Sequence, residues 1–447
     1  MSRKQDHPTK VTDIMNATHR RKPQWKPTRH LILLPLEPMA ERYTQQWLDW
    51  FREELDRLGL EYTMFAPSEE ERHIDVGTVL DSPGTTIWKS QQMIQAAEFF
   101  KNGHKDLKDI TVFTMDAQHP GIEAIKYMAH MYNTPCRIFG FLHASSYTTE
   151  DFASGMAPWM RHFEYAWFNL FDGLFVGSLY HKNKAIAAVS RVPWEFMDKF
   201  EVVRAPFMVE PLDDNVLQSD RPIDVIWPHR FDREKRPNTA LSLFRQMKEG
   251  NPRYRFAFCT SRQVAGDVID TVEVSYGKPA AVVKLKNVKF NTNDETMLGM
   301  LNQAIDDGIV EFYHCPRKDD YYGLLLRSRV MLSTTIEENF GYCFVEAVHH
   351  GCYPVVPDGF SYPEFITDEI DWITNGVEKP QPQAYLFGLH QDIRGTLTSL
   401  ISDGPGGVEV RESFQVLLRH CRKAIEYMVD SMFAKDEQEQ QSDKVTR

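Results

Sequence analysis

The feature that most constrains this chain is an alternation of strand-like and helix-like segments that occurs twice. The first series begins at "RHLILLPL" (29–36) with an amphipathic pattern following at 41–60, and the second begins at "IDVIWPH". Strands that alternate with helices, without tandem hairpins, indicate a parallel sheet covered by helices. The sequence therefore predicts an α/β chain with two parallel-sheet domains of similar size and a cleft between them.

A break separates the two series. Residues 205–222, "APFMVEPLDDNVLQSDRP", are rich in proline and acidic residues and have no hydrophobic period, so we interpret them as a linker. The predicted parts of the chain are a basic disordered arm (1–28), an N-terminal acceptor-side domain (29–204), the linker (205–222), a C-terminal domain (223–405), a long final helix (406–433) and a disordered tail (434–447).

Charge is unevenly distributed along the chain. The formal net charge is −12, yet residues 1–30 hold eight Lys/Arg against two Asp. A basic, proline-containing arm ahead of an acidic body is typical of a nucleic-acid-binding tail. A solubilising tail is the commoner explanation of such a segment, and both interpretations stay open here.

Composition favours a cytoplasmic protein, in the host cytoplasm if the chain is viral. The longest apolar runs are far shorter than the roughly 18 residues that span a bilayer, which predicts no membrane partner. The six cysteines are scattered without a CxxC pair, which suits a reducing compartment. His349 and Cys352 offer only two neighbouring metal ligands, so we predict no metal site. No pattern indicates an oligomeric state.

The segment "TTIEENFGYCFVEAVHHG" (334–351) follows a strand-like run and places Gly341 at a predicted helix start, between Glu338 and Glu346. Glycine permits close approach of a ligand to the backbone, and N–H groups at a helix start attract anions. A carboxylate offers only hydrogen-bond acceptors, which suits sugar hydroxyls or a ribose diol. Capping of the helix is an equally good explanation of the two acids.

The segment "WPHRFDREKRP" (227–237) places Arg230 and Lys235 five residues apart after the first strand of the second series. A guanidinium fork and an ammonium at the mouth of a cleft suit a diphosphate. For such a pair considered alone, a solvated basic loop is the commoner explanation.

Three polar residues follow strands of the first series. His143 ends "IFGFLH", and Asp116 and His119 lie in "TMDAQHPG". Ligands of open parallel sheets bind at the carboxyl ends of strands, so each residue is a candidate to line the cleft. A structural role is the commoner one for each.

Together these segments resemble the retaining GT-B glycosyltransferases of the family-4 type, which carry a Glu-x7-Glu motif with Phe-Gly inside it and an Arg and a Lys five apart. The resemblance to the tRNA-queuosine mannosyltransferases is closer and covers most of residues 225–366. The shared segments, in order, are "WPHR", Lys235, "KDDY" (318–321), "ENFGYCFVEAV", "GCYP" (351–354) and "YPE" (362–364).

The resemblance implies a GT-B fold, with two Rossmann-like domains and a final helix that crosses back to the N-terminal domain, and a metal-independent transfer from a UDP- or GDP-sugar. It implies that Arg230 and Lys235 hold the diphosphate, and that Glu338 and Glu346 bind sugar and ribose hydroxyls. His143 would approach the transferred sugar or the acceptor. The remaining donor-site residues that it implies are Pro316, Arg317, Asn339, Phe340, Gly341 and Tyr342.

The acceptor side departs from that family. "PLEPMAERYTQQW" (35–47) replaces a glycine-rich loop, and His143 alone remains of a His-Glu-Asn-Gln motif. Phage-type DNA glycosyltransferases share the GT-B fold, so we expect a hydroxyl on a modified nucleobase as acceptor, with hydroxymethylated DNA slightly ahead of tRNA queuosine. The candidate acceptor-side residues are Glu37, Arg42, Asp116 and His119.

Two alternatives remain. One is a glycosyltransferase with a small-molecule or glycan acceptor, and the other is a non-catalytic GT-B relic that binds nucleotide or nucleic acid. A separate basic segment, "KLKNVKF" (284–290), is interpreted as an exposed edge strand whose lysines oppose aggregation, ahead of a role in nucleic-acid binding.

Overall fold

The computed structural model describes twelve parts of the chain, and the predicted arm (1–28) and tail (434–447) lie outside them. The described residues are 30–39, 42–67, 82–102, 109–148, 150, 152–192, 194–261, 264–276, 278–290, 295–366, 384–388 and 393–433.

The N-terminal domain is built on a six-stranded parallel sheet in the order β2-β1-β3-β4-β5-β6. Its strands are β1 (His30–Leu34), β2 (Tyr62–Met64), β3 (Ile110–Thr114), β4 (Cys136–Phe141), β5 (Gly173–Val176) and β6 (Phe200–Val202). Its helices are α1 (Tyr43–Leu58), α2 (Ser82–Asn102), α3 (Ile122–Met131), α4 (Ala157–Leu170) and α5 (Leu179–Val189), with a 3-10 turn at Phe152–Met156.

Helix α1 shows how the sequence pattern produces this layer. Trp47, Phe51 and Leu55 recur at helical spacing and are buried against the sheet. The helix ends at Gly59, whose φ of 68° lies in the left-handed region that favours glycine. The chain can then turn directly into β2.

The C-terminal domain contains an eight-stranded sheet in the order β14-β13-β12-β7-β8-β11-β10-β9. Its strands are β7 (Ile223–Trp227), β8 (Phe256–Thr260), β9 (Ala265–Tyr276), β10 (Lys278–Lys289), β11 (Glu311–His314), β12 (Ser328–Leu332), β13 (Tyr353–Pro357) and β14 (Tyr385–Phe387). Its helices are α6 (Asp214–Leu217), α7 (Pro237–Gly250), α8 (Glu295–Asp306), α9 (Lys318–Leu326), α10 (Tyr342–His349), α11 (Pro363–Ile366) and α12 (Arg394–Asp403), with a 3-10 turn at Arg233–Lys235.

The predicted class, α/β with two Rossmann-like domains, is confirmed, but the second sheet is not wholly parallel. Strands β9 and β10 form a long antiparallel hairpin, and β10 also runs antiparallel to β11. The interpretation of 284–290 as an edge strand is therefore wrong, because β10 is paired on both sides and β9 is the edge. Lys284 lies within 3.4 Å of Glu311, so it has an ionic partner within the sheet.

The segment predicted as a linker is packed against the body of the protein. Ala205, Phe207 and Val209 are buried in the core cluster that α1 also joins, and α6 follows within the same segment. Apolar side chains at alternate positions in "APFMV" explain this burial, since they cover the junction of the two domains.

The predicted final helix is three consecutive helical segments. They are α13 (Gly407–Ser413), α14 (Gln415–Arg422) and residues 424–433. The last segment reaches the N-terminal domain, where the Arg137 guanidinium donates to the Met432 carbonyl at 2.7 Å and the Ser431 hydroxyl donates to Glu201 at 2.5 Å. Within the described residues, no helix combines the length and apolarity that crossing a bilayer requires.

Glu364 joins the domains at a second point. Its carboxylate accepts hydrogen bonds from the backbone N–H groups of Leu179 and Tyr180, at the start of α5, both at 2.9 Å. The buried Arg204 guanidinium donates to the same carboxylate at 2.7 Å. A residue of the C-terminal domain thus caps a helix of the N-terminal domain, which fixes one edge of the cleft.

Gly341 precedes α10 with a φ of 86°, and a Cβ added there would lie 3.1 Å from Tyr362 Cε1. We expect Gly341→Ala to lower the free energy of unfolding by about 1–2 kcal/mol, because an L-residue is strained in the left-handed region. Gly250→Ala is the matched control, since that helical glycine has open space around its Cβ position and alanine favours helix. Urea unfolding of both variants checks this; equal losses would contradict it.

Candidate active site

A cavity of about 450 Å3 lies between the two domains. Residues that follow β1, β3 and β4 line it from the N-terminal side, and residues that follow β7, β8, β11 and β12 line it from the C-terminal side. The carboxyl ends of parallel strands meet at one edge of each sheet, so the cavity stands where such sheets bind ligands.

Lys235 holds two loops of the C-terminal domain together. Its ammonium donates to Glu338 Oε2 at 3.0 Å, to the Glu337 carbonyl at 3.0 Å and to Thr335 Oγ1 at 3.4 Å. Strands β7 and β12 are neighbours, so the loops that follow them meet at the same edge of the sheet. The side chain is mostly buried, which places a fixed positive charge at the floor of the cavity.

Arg230 lies closer to the mouth of the cavity, with 37% of its side chain exposed. Its guanidinium contacts Glu234 at 2.9 Å and Asp232 at 3.2 Å. Burial raises the pKa of Glu234 above its usual value, against the opposing effect of Arg230 and Lys235. Carboxylates therefore balance both predicted diphosphate-binding cations, and an incoming anion competes with them.

Glu338 accepts a hydrogen bond at the start of α10, as the capping alternative predicts, and it also forms an ion pair. Its Oε1 accepts a hydrogen bond from the Gly341 N–H at 3.0 Å, while its Oε2 accepts from Lys235. The carboxylate thus links the start of α10 to the cation, and it lines the cavity. A role in binding sugar hydroxyls stays a prediction.

Glu346 lies in a buried network on the next turn of α10. It forms an ion pair with Lys318 and accepts a hydrogen bond from Tyr322 at 3.2 Å. Gln46 of α1 donates to the Tyr322 hydroxyl at 3.1 Å, so this network also reaches the N-terminal domain. Lys318, the first residue of "KDDY", is a site residue that the sequence analysis did not single out.

Tyr342 connects the domains inside the cavity. Its ring stacks on Tyr43 with centroids 4.6 Å apart, and its oxygen accepts a hydrogen bond from Trp47 Nε1 at 2.5 Å. Its hydroxyl donates to the Pro206 carbonyl at 3.0 Å. The Tyr342 side chain is thus committed to contacts with the N-terminal domain and its connection, and a donor role for backbone N–H groups near Tyr342 stays a prediction.

Asn339 and Phe340 make similar contacts. Asn339 Nδ2 donates to the His143 carbonyl at 3.0 Å, and the Asn339 carbonyl accepts from the Ser178 hydroxyl. Phe340 packs on Gly177, where an added Cβ would lie 2.7 Å from its ring. Both residues line the cavity, but these contacts join the domains across it.

His143 lies on the N-terminal side of the cavity with both ring nitrogens oriented. Nε2 is 2.7 Å from the Met115 carbonyl, which can only accept, so Nε2 carries the proton. Nδ1 is therefore an acceptor, 3.4 Å from the Tyr43 hydroxyl. Burial lowers the pKa of His143, which favours the neutral ring.

Asp116 lines the cavity and His119 does not. The Lys89 ammonium contacts Asp116 at 2.6 Å and, although burial alone would raise the pKa of Asp116, lowers it below its usual value. His119 is buried, with Nε2 2.9 Å from Gln92 Oε1. The prediction that His119 is an acceptor-side residue is corrected, because its ring contacts the protein interior.

The remaining predicted site residues are described by their position relative to the cavity. Glu37 and Arg42 line the N-terminal side of the cavity, and Arg317 lines the C-terminal side with its guanidinium 2.7 Å from Asp320. Pro316 is exposed and lies between Cys315 and Arg317, which both line the cavity, and its place at the nucleobase stays a prediction. The described residues contain no group of three or more His, Cys, Asp or Glu side chains placed to hold a metal ion.

Comparison with known proteins gives a partial match at the level of sequence. No protein-family model matches the chain. A stretch of 147 residues is 24% identical to the tRNA-queuosine alpha-mannosyltransferase of Drosophila melanogaster and covers 33% of this chain and 31% of that protein. The match thus spans about a third of the length of the relative.

Solved structures share the fold over most of the chain. Sucrose-phosphate synthase from Thermosynechococcus elongatus superposes with a TM-score of 0.56 at 12% identity, over 94% of this chain and 100% of that one. Anabaena HepE in complex with UDP and glucose superposes with a TM-score of 0.54 at 11% identity, over 90% and 99%. The chain has the GT-B fold. The cavity lies in the cleft between the two domains of this fold. The expected resemblance to GT-B glycosyltransferases is confirmed.

Burial lowers the pKa of His119 to about 4, whereas an unfolded histidine titrates near 6.5. Between those values the unfolded chain binds the additional proton, so stability falls as pH falls through 6.5 towards 4. We expect His119→Gln to reduce the loss of unfolding free energy between pH 7 and pH 5 by about 2 kcal/mol. Urea unfolding at both pH values tests this.

His162→Gln, at an exposed position of α4, is the control and should leave that pH dependence unchanged. An unaltered pH dependence in His119→Gln would show that the ring is not held neutral by burial.

Proposed function

We propose that this protein is a metal-independent, retaining glycosyltransferase that uses a nucleoside-diphosphate sugar and transfers the sugar to a hydroxyl on a modified nucleobase. The observation that carries the proposal is the convergence of Arg230, Lys235 and the Gly341 turn on the C-terminal side of an interdomain cleft. Two cations and a helix start at one place provide the electrostatic stabilisation that a departing diphosphate needs.

The proposed reaction breaks the bond between the anomeric carbon and the diphosphate and forms a bond from that carbon to the acceptor oxygen. The acceptor's proton leaves with the diphosphate. Lys235 and Arg230 stabilise the charge that develops on the leaving group, while Glu338 and Glu346 bind hydroxyls of the sugar and the ribose. Retention of the anomeric configuration rests on the resemblance to family-4 enzymes.

In this proposal, His143 provides a hydrogen-bond acceptor of fixed orientation beside the reacting centre. With Nε2 committed to the Met115 carbonyl, Nδ1 can accept a hydrogen bond from a sugar hydroxyl that displaces Tyr43. A neutral ring suits this role, since it adds no charge that would compete with the two cations for the diphosphate.

The comparisons support two finer points of the proposal. HepE was solved with UDP and glucose, which supports a UDP-sugar as the first donor to test, with GDP-sugars second. The similarity to a tRNA-queuosine alpha-mannosyltransferase moves tRNA ahead of hydroxymethylated DNA as the first acceptor to test.

A release assay tests the proposal. The protein is incubated with UDP- and GDP-sugars, each alone, with bulk tRNA or with hydroxymethylated DNA, and free nucleoside diphosphate is detected. Release that requires one donor and one polymer is the expected result. Release that is independent of polymer would redirect the search to small-molecule or glycan acceptors, and no release under any condition would favour the non-catalytic alternative.

Lys235→Ala should lower the turnover of that reaction by about 100- to 1000-fold, the usual effect of removing one transition-state charge contact. Binding of the polymer should persist, because Lys235 lies on the donor side. Lys248→Ala removes a lysine from α7, outside the cavity, and is the matched control. Equal loss of polymer binding and turnover in Lys235→Ala would contradict the division of roles between the domains.

A further inference from the structure

Several buried polar atoms in the cleft have no hydrogen-bond partner within the part of the chain that the structure describes. Such atoms are rare in folded proteins because each loses its interaction with water without a replacement, and they often mark functional sites. Those on residues that line the cavity are Glu37 Oε1, Thr148 Oγ1, His229 Nε2, Tyr321 Oη and Asn339 Oδ1.

Glu37 is the acidic residue of this group. The other acidic residues that line the cavity differ from it in having an ionic partner. Each of them pairs with a cation: Asp116 with Lys89, Glu234 with Arg230, Glu337 with Lys184, Glu338 with Lys235 and Glu346 with Lys318. Glu37 is only 8% exposed, and the structure gives its Oε1 no hydrogen-bond partner. A buried carboxylate is costly unless donors satisfy it, so this residue is placed for a partner that the described residues do not supply to Oε1.

The position of Glu37 indicates which substrate provides that partner. Glu37 follows β1 of the N-terminal sheet, whereas Arg230 and Lys235 follow β7 of the C-terminal sheet. A carboxylate repels a diphosphate and accepts hydrogen bonds only from O–H or N–H groups. Its chemistry excludes the diphosphate, and its place on the N-terminal side of the cleft points to the acceptor.

We propose that the Glu37 carboxylate binds a hydrogen-bond donor on the acceptor, either a second hydroxyl or an amine N–H close to the hydroxyl that receives the sugar. The inference rests on the proposed function and adds a chemical requirement to it. A nucleobase with a lone hydroxyl and no neighbouring donor is then a poor acceptor, whichever polymer carries it.

The test compares Glu37→Met, Glu37→Gln and the control Glu53→Gln, which changes an exposed acid on α1. Initial rates are measured against the concentration of bulk tRNA and of hydroxymethylated duplex DNA, and separately against the donor. Thermal unfolding of each variant is recorded without substrates. The kinetic measurement reports on the acceptor contact, and the thermal measurement does not depend on which acceptor is used.

Glu37→Met should raise the KM for the acceptor at least 30-fold, with the KM for the donor changed less than threefold. Its melting temperature should rise, because the variant removes a buried carboxylate oxygen that lacks a partner. Glu37→Gln keeps an acceptor oxygen, so it should raise the acceptor KM less than tenfold if the partner is a hydroxyl and at least 30-fold if it is a protonated amine.

Two results would overturn the inference: a lower melting temperature for Glu37→Met, which would assign Glu37 a structural role, or an unchanged acceptor KM. Failure of the wild-type protein to modify either polymer would instead overturn the proposed acceptor class. In that case the melting temperature of Glu37→Met, compared with that of the wild-type protein, still decides whether Glu37 Oε1 is held without a partner.

Discussion

The rest of the site depends on the hydrogen bonds that the Lys235 ammonium donates. The ammonium joins the 3-10 turn after β7 to the loop after β12, through Glu338, the Glu337 carbonyl and Thr335. Glu338 in turn caps the backbone at Gly341, so one cation fixes the start of α10 and the floor of the cleft. In the proposed reaction a diphosphate competes with Glu338 for this ammonium, which also donates to the Glu337 carbonyl and to Thr335.

The same loop also joins the two domains. Asn339, Phe340 and Tyr342, which directly follow Glu338, contact Ser178, Gly177 and Trp47. These contacts flank Glu338 and Gly341, so residues of the candidate site and residues of the domain interface lie in one short segment. Glu346 offers a second route, since Tyr322 connects it to Gln46 of α1.

Much of the fold could be predicted from local sequence signals. Five-residue apolar runs such as "HLILL" predict buried parallel strands, and Gly59 marks the end of α1. The β9–β10 hairpin was missed although "VIDTVEV" alternates with the period of a strand, because the expected alternation of strands and helices left no place for it. The final helix was predicted as continuous because its breaks, at Phe414 and Lys423, carry no proline or glycine signal.

The site was predictable where its residues follow adjacent strands. Lys235 meets the loop that carries Glu338 because β7 and β12 are neighbours in the sheet. Lys89 and Lys318 were not predicted, since their pairing with Asp116 and Glu346 depends on how separate elements pack. His119 was misplaced for the same reason: the sequence shows that it follows a strand but not which way its ring points.

A crystal structure of the protein with bound UDP tests the central claim most directly. The account predicts that the β-phosphate lies within hydrogen-bond distance of Lys235 Nζ and of the Arg230 guanidinium, with the nucleotide on the C-terminal side of the cleft. A diphosphate bound away from both cations, with the contact between Lys235 and Glu338 intact, would contradict it.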